Sequence, residues 1–245
     1  MRIPSWQPLG PARNLPETTS NVAIMLPRTL EPEVMDTPAA ARDYDGMDHS
    51  AVNRVFVDDL LAAIGDPAGL EVLDVGTGTA QMAVELGQRQ AGCRIVAVDL
   101  ATEMLKLARE NVTSARLGLV VEVELVDAKA MPYEAGRFDV VMSNSIVHHI
   151  PEPIDAISEM VRVTVSGGLL FLRDLLRPAD RATVEHLVKT YAGDENQHAQ
   201  QMFRESFHAA LSLEELQALL DKLGLPVHWA RQTTDRHWTV CGCLA

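Results

Sequence analysis

The stretch from Glu71 to Met104 constrains the fold more than any other part of the chain. A short apolar run, Val72, Leu73 and Val75, carries one acid, Asp74, and meets the turn Gly76-Thr77-Gly78-Thr79-Ala80. An amphipathic stretch with Met82, Ala83 and Leu86 follows, then a second apolar run from Ile95 to Val98 that ends on Asp99. This order reads as strand, glycine turn, helix, strand: one βαβ unit with a ligand site at the carboxyl ends of its strands. Glycines in such a turn let backbone approach a ligand where a Cβ would collide. Asp99 stands 23 positions after Gly76, placed to accept two hydrogen bonds from a ribose diol.

Two ligand classes use this layout. A dinucleotide site asks for G-x-G-x-x-G, and Gln81 stands at the third glycine position. A pyrophosphate gives no reason for Asp74, whereas an acid beside the turn suits a ligand with an ammonium group. D-x-G-x-G followed by an acid ending the next strand resembles the first two motifs of class I S-adenosylmethionine (SAM)-dependent methyltransferases. Ala80 stands where that family frequently has a small-residue glycine, a change without obvious harm.

The resemblance extends along the chain. A third strand, Val120 to Val126, ends on Asp127-Ala128, and VDAKAMPY resembles the family motif in which an acid meets the adenine amino group. Phe138-Asp139 opens a fourth strand, Pro151 and Pro153 start a helix, and Gly167-Gly168 turns into a fifth strand, LLFLRD. From Phe138 to Asp174 the chain is most similar to the small-molecule branch that includes ubiquinone and menaquinone methyltransferases. The Asn-Pro-Pro-Tyr box after strand four is missing, which argues against a DNA-adenine or glutamine acceptor.

The implied fold is α/β. It is a doubly wound, seven-stranded, mostly parallel sheet with an antiparallel C-terminal hairpin and helices on both faces. An N-terminal helical lid and a helical insertion after strand five, residues 175–211, complete it. Residues 1–38, with Pro4, Pro8, Pro11 and Pro16, read as a flexible tail and strap, and 39–245 as a single domain. Helical spacing runs from Ala39 to Gly65, Thr102 reads as a helix cap, and Ser212-x-x-Glu215 as a capping box. Pro226 to Ala230 and His237 to Cys243 read as the last two strands.

By the resemblance, Asp74, Gly76, Thr77 and Gly78 hold the amino-acid part of SAM. Asp99 and Leu100 hold the ribose and adenine edge, with Met104 packed nearby, and Asp127 and Ala128 read the adenine. Tyr44, Asp48, His49 and Asn53 are lid candidates, Tyr44 foremost. Methyl transfer from a sulfonium is an in-line displacement that needs alignment and exclusion of water. An acceptor phenol, acid or thiol would also need a base, and the candidates just past strand four are Asn144, His148 and His149. His148 is preferred of the pair. Arg173, Asp174, Tyr191, His198, Arg204, His208, His237 and Trp238 are candidates for the substrate cover, converging on a small polar or anionic acceptor.

Charge narrows the partners. With 21 basic against 34 acidic residues the net charge is −13, and no basic run appears, so a nucleic-acid partner is not expected. Three cysteines, an odd number without a framework, suit a reducing cytoplasm. Cys241-Gly-Cys243 reads as one face of a strand, and His198 and His208 are too far apart on a helix to pair, so no metal is expected. No apolar run reaches the length of a membrane span, no secretory signal is evident, and an exposed strap could mediate a homodimer. The rival readings are a nucleic-acid or protein methyltransferase, a SAM- or S-adenosylhomocysteine-binding regulator without catalysis, and a nicotinamide oxidoreductase.

Overall fold

The computed structural model describes residues 25–31, 36–47, 49–65, 69–90 and 92–245. The rest of the expected tail and strap, and the lid candidate Asp48, lie outside the described residues.

Two helices, α1 (Pro38–Asp45) and α2 (Ser50–Ile64), precede the sheet. The sheet region begins with β1 (Glu71–Val75), α3 (Gln81–Arg89), β2 (Arg94–Asp99), α4 (Thr102–Ser114) and β3 (Val121–Leu125). Its second half comprises β4 (Phe138–Asn144), α5 (Pro153–Val163) and β5 (Thr164–Leu175). After β5 come α6 (Arg181–Ala192), α7 (Gln197–Ala209), α8 (Leu213–Lys222), β6 (Ala230–Gln232) and β7 (His237–Cys243). The seven strands run in the order β3-β2-β1-β4-β5-β7-β6. β1 to β5 pair in parallel, while β7 is antiparallel to both β5 and β6.

A parallel sheet covered on both faces needs strands that are apolar throughout. Alternate residues then serve opposite layers. Val72, Ile95 and Val140 face a layer formed by Phe56 and Leu60 of α2, Leu86 of α3 and Leu105 of α4. Leu73, Val96 and Val141 face Ile157 and Met160 of α5 and Leu216 of α8 on the other side. The chain winds outward from β1 to β3, then returns to place β4 on β1's other edge. Strand order therefore reverses between β1 and β4, where a crevice opens at the strands' carboxyl ends.

Four local expectations change. The single helical run from Ala39 breaks at Gly46, and α1 instead docks on α4, where Asp45 Oδ1 accepts from Asn111 Nδ2 at 2.8 Å. Thr102 is the first residue of α4 and not its cap. Ala101 stands at the cap position with no side-chain cap bond, and its own N–H donates to Asp99 Oδ1 at 2.9 Å. The strand expected from Pro226 is a 3-10 turn, Val227–Trp229, followed by only the three residues of β6. Trp229 packs there against Gly242, where a Cβ would lie 2.1 Å from its ring. Ala80 adopts a left-handed backbone with φ 61°, which costs a non-glycine residue about 1–2 kcal/mol. The Ser212–Glu215 capping box forms as expected.

The insertion after β5 has its own apolar centre. Val184, Leu187 and Phe207 of α6 and α7 bury against Leu175, and Leu26 of the strap joins them. Arg28 fastens the strap, donating to the carbonyls of Ala209 at 2.7 Å and Ile150 at 2.9 Å. No described helix is long and apolar enough to cross a membrane.

Candidate active site

The turn after β1 is built by its neighbours in β2. The Gly76 and Thr77 N–H groups both donate to the Val98 carbonyl, at 2.8 and 2.9 Å. Gly76 has φ 74° and faces Ile146 closely enough that a Cβ would lie 1.9 Å from Ile146 Cγ2. No side chain fits that position. The Gly78 N–H donates to Asp99 Oδ2 at 2.8 Å, so the two ends of the βαβ unit are tied together. Each Asp99 oxygen thus accepts one backbone N–H and keeps further lone pairs for a ligand. Burial raises the pKa of Asp99, and hydrogen bonds from the Ala101, Gly78 and Leu100 backbone work against that rise.

A cleft of about 820 Å³, open solvent at its mouth included, lies over this turn. Its floor is Gly76, Gly78 and Val98, and one wall is Asp99, Leu100, Ala101 and Met104. Asp127, Ala128 and Lys129 form the far end, and Tyr44 of α1 covers the turn, its Cε1 3.7 Å from where a Gly78 Cβ would be. Asn144, Ser145, Ile146, His149 and Ile150 close the side towards β4. Burial opposes ionisation of Asp127, yet the Lys129 N–H at 2.9 Å and its ammonium at 3.0 Å hold that carboxyl below its usual range. Burial pushes the Tyr44 hydroxyl up to about 12. Of the other lid candidates, Asn53 bonds Gln81 at 3.2 Å and His49 stacks on Tyr44, so both brace the lid.

Asp74 and Thr77 lie beneath the turn and do not line the cleft. Asp74 is 2% exposed, and its Oδ2 accepts from Thr77 Oγ1 at 2.7 Å. Burial lifts its pKa to about 7, the Thr77 hydroxyl lowers it, and the charge of Asp99 raises it further.

The two histidines part company. His149 lines the cleft, whereas His148 is buried away from it. His148 Nδ1 lies 2.5 Å from Asp174 Oδ1, and its backbone N–H donates to Asp174 Oδ2 at 3.1 Å. Burial disfavours the imidazolium, but Asp174 and Glu31 outweigh it and raise the His148 pKa. Of the two candidates, His149 and not the preferred His148 lines the cleft.

The expected substrate cover does not converge. Arg173 points into the opposite layer, where it pairs with Asp59 at 2.5 Å and donates to Thr239 Oγ1 at 3.0 Å. Trp238 is wholly buried in the core, and His237 is buried with Nδ1 2.9 Å from Thr234 Oγ1. Tyr191 is exposed and bonds Asp235 at 2.6 Å, with Arg236 stacked on its ring. Arg204 makes a bidentate pair with Glu185, and His198 is exposed on α7. His208 lines a second, separate cavity of about 960 Å³, open solvent included, between the strap and α7.

Sequence reasoning missed Ser145, Ile146 and Lys129. Ser145 has φ 59° and donates its N–H to the Arg173 carbonyl at 2.9 Å, a left-handed turn that points the segment after β4 back over the cleft. Its place just after Asn144 was a usable signal. Nothing local marks Ile146 as the partner of Gly76.

A seven-stranded sheet with one antiparallel strand, β7, set between β5 and β6, and a glycine turn tied to an acid is the architecture of class I SAM-dependent methyltransferases. Residues 73–172 match the family model described as a methyltransferase domain. A ubiquinone biosynthesis O-methyltransferase of Xanthomonas oryzae pv. oryzae is 33% identical over 127 residues, 52% of each chain. A ubiquinone/menaquinone biosynthesis C-methyltransferase of a Geobacter species is 31% identical over 108 residues, 44% of this chain and 46% of that one. The chain spans about half the length of these curated relatives. A SAM-dependent methyltransferase of Aquifex aeolicus shares the fold, with a TM-score of 0.64 at 20% identity over 85% of this chain and 99% of that one.

Proposed function

We propose that this chain transfers a methyl group from SAM to a small-molecule acceptor. The observation that carries the reading is Asp99, whose two oxygens are each fixed by one backbone N–H at the wall of a cleft floored by Gly76 and Gly78. A carboxylate so held is pre-aimed at a diol, because its own rotamer is already settled. A side chain at Gly76 would collide with Ile146, so backbone alone is presented at that point of the cleft.

SAM supplies, when bound, an electrophilic methyl group on a sulfonium. The chain's residues position and enclose. Gly76 and Gly78 would offer backbone to the amino-acid end, Asp99 and Leu100 would hold the ribose side, and Met104, Asp127 and Ala128 would bound the base. Asp74 and Thr77 act one layer below, stiffening the turn through their mutual hydrogen bond. Tyr44 excludes water from above. Asn144 and His149 stand on the side left for the acceptor, and no covalent attachment to the protein is required.

The relatives named for ubiquinone biosynthesis support a small-molecule acceptor, and the net charge of −13 argues against a polyphosphate partner. The three cysteines are free, in keeping with a reducing, cytoplasmic setting. Titration calorimetry with SAM, S-adenosylhomocysteine and NAD tests the reading. Binding of the first two and not of NAD is expected; binding of NAD alone would overturn it.

A further inference from the structure

One group of side chains reaches beyond this reading, sharing only His149 with the cleft. Glu31, at the end of the strap's described part, meets His148 and His149 of the 3-10 turn after β4. Glu31 Oε1 lies 3.3 Å from His148 Nε2 and 3.2 Å from His149 Nδ1, and the three atoms all fall within 4.8 Å of one another. The imidazole rings are 4.1 Å apart at a 34° tilt.

Asp174 is fully buried and accepts from the His148 and Leu175 N–H groups, and His148 Nδ1 lies 2.5 Å from its Oδ1. That contact fixes the ring so that Nε2 faces Glu31 Oε1 across 3.3 Å. Glu31 Oε1 is itself buried and accepts no hydrogen bond from any described residue. A metal ion that displaces the imidazole proton fits between these atoms. Ligand atoms bound tetrahedrally at ~2.0–2.1 Å are themselves about 3.3 Å apart, close to both distances here.

We propose that Glu31, His148 and His149 form a binding site for one divalent transition-metal ion of the zinc type. Two imidazoles and one carboxylate suit zinc, cobalt(II) or iron(II), whereas magnesium and calcium prefer all-oxygen sets. Asp174 is the outer carboxylate that orients His148, the arrangement commonly found behind metal-bound histidine. Two carboxylates, Glu31 and Asp174, face the site, and Arg28 stands behind it with Nη2 3.3 Å from the His148 carbonyl. With both imidazoles deprotonated, as metal binding requires, the local charge without the ion is net negative. Three protein ligands leave a fourth position for water or a ligand oxygen. His149 also lines the main cleft and Glu31 the second cavity, so the ion sits between the two and pins the strap to the turn after β4. The site does not depend on the methyl-transfer reading.

The test is calorimetric titration of the full chain, stripped with a chelator, with zinc chloride, and absorption spectroscopy with cobalt(II). One equivalent should bind, with the visible bands of a tetrahedral cobalt centre. Glu31→Gln and His149→Gln should each weaken binding at least tenfold, while His198→Gln on exposed α7 should leave it unchanged. Glu31→Gln conserves shape at the strap, and circular dichroism establishes that it is folded. No stoichiometric binding by the wild-type chain, or equal affinity in a folded Glu31→Gln variant, would overturn the proposal. SAM titration of the same samples separates the two readings: zinc binding without SAM binding would sink the proposed function and spare this site.

Discussion

Gly76 on the floor of the cleft and Ile146 on its β4 side meet so closely that a methyl group on Gly76 would fall 1.9 Å from Ile146 Cγ2. This contact joins the turn after β1 to the segment after β4, the two sides of the sheet's reversal point. Gly76→Ala should lower the unfolding free energy by about 2–4 kcal/mol, from overpacking and from the left-handed backbone together. Adding Ile146→Ala should return part of the loss, because the 1.9 Å collision with Cγ2 goes while the Ile146 Cβ at 2.8 Å and φ 74° stay. Urea unfolding of both single variants and the double measures this, and a strictly additive cycle would contradict it.

Asp74 gives the ligand-free chain a pH signature. Its folded pKa of about 7 lies above the value near 3.9 expected in the unfolded chain, so the folded state binds the proton more tightly. Stability linked to this group is present at acid pH and is lost as pH rises through about 7. The difference is on the order of 4 kcal/mol at most. Asp74→Asn should remove that component, so the gap between variant and wild type widens from pH 5 to pH 8 in the variant's favour. A constant gap would show that burial does not govern this carboxyl.

Arg173 tests the division between framework and site. Its guanidinium is 4% exposed and bridges Asp59 on α2 to Thr239 on β7, between the rings of Phe56 and Phe171. Arg173→Met should cost about 3 kcal/mol of stability by stranding Asp59 and Thr239. SAM affinity of the folded variant should stay within about twofold of wild type, under 0.5 kcal/mol. A large loss of affinity without a fall in melting temperature would return Arg173 to the binding site.

What was legible in the sequence follows the range of the interactions. The βαβ unit, the glycine turn and the acids ending β2 and β3 are set by short apolar runs and turn chemistry, and these need no distant partner to recognise. The cleft inherits that clarity because its walls are strand ends. Residues of the cover were not legible, because their partners lie elsewhere: Arg204 is spent on Glu185, Tyr191 on Asp235 and Arg173 on Asp59. A polar side chain on a helix carries no mark of which acid it will find. The proposed metal ligands carry no sequence signal for the same reason, since Glu31 lies 117 positions before His148.

The central claim is that Asp99 grips the adenosyl ribose, and the SAM dissociation constant of Asp99→Ala measures it most directly. Asp221→Ala, an exposed change on α8, serves as the control. Circular dichroism establishes that both are folded. Affinity should fall at least tenfold in Asp99→Ala, about 1.4 kcal/mol or more, and stay within twofold in the control. Equal affinity in the two folded variants would contradict the account.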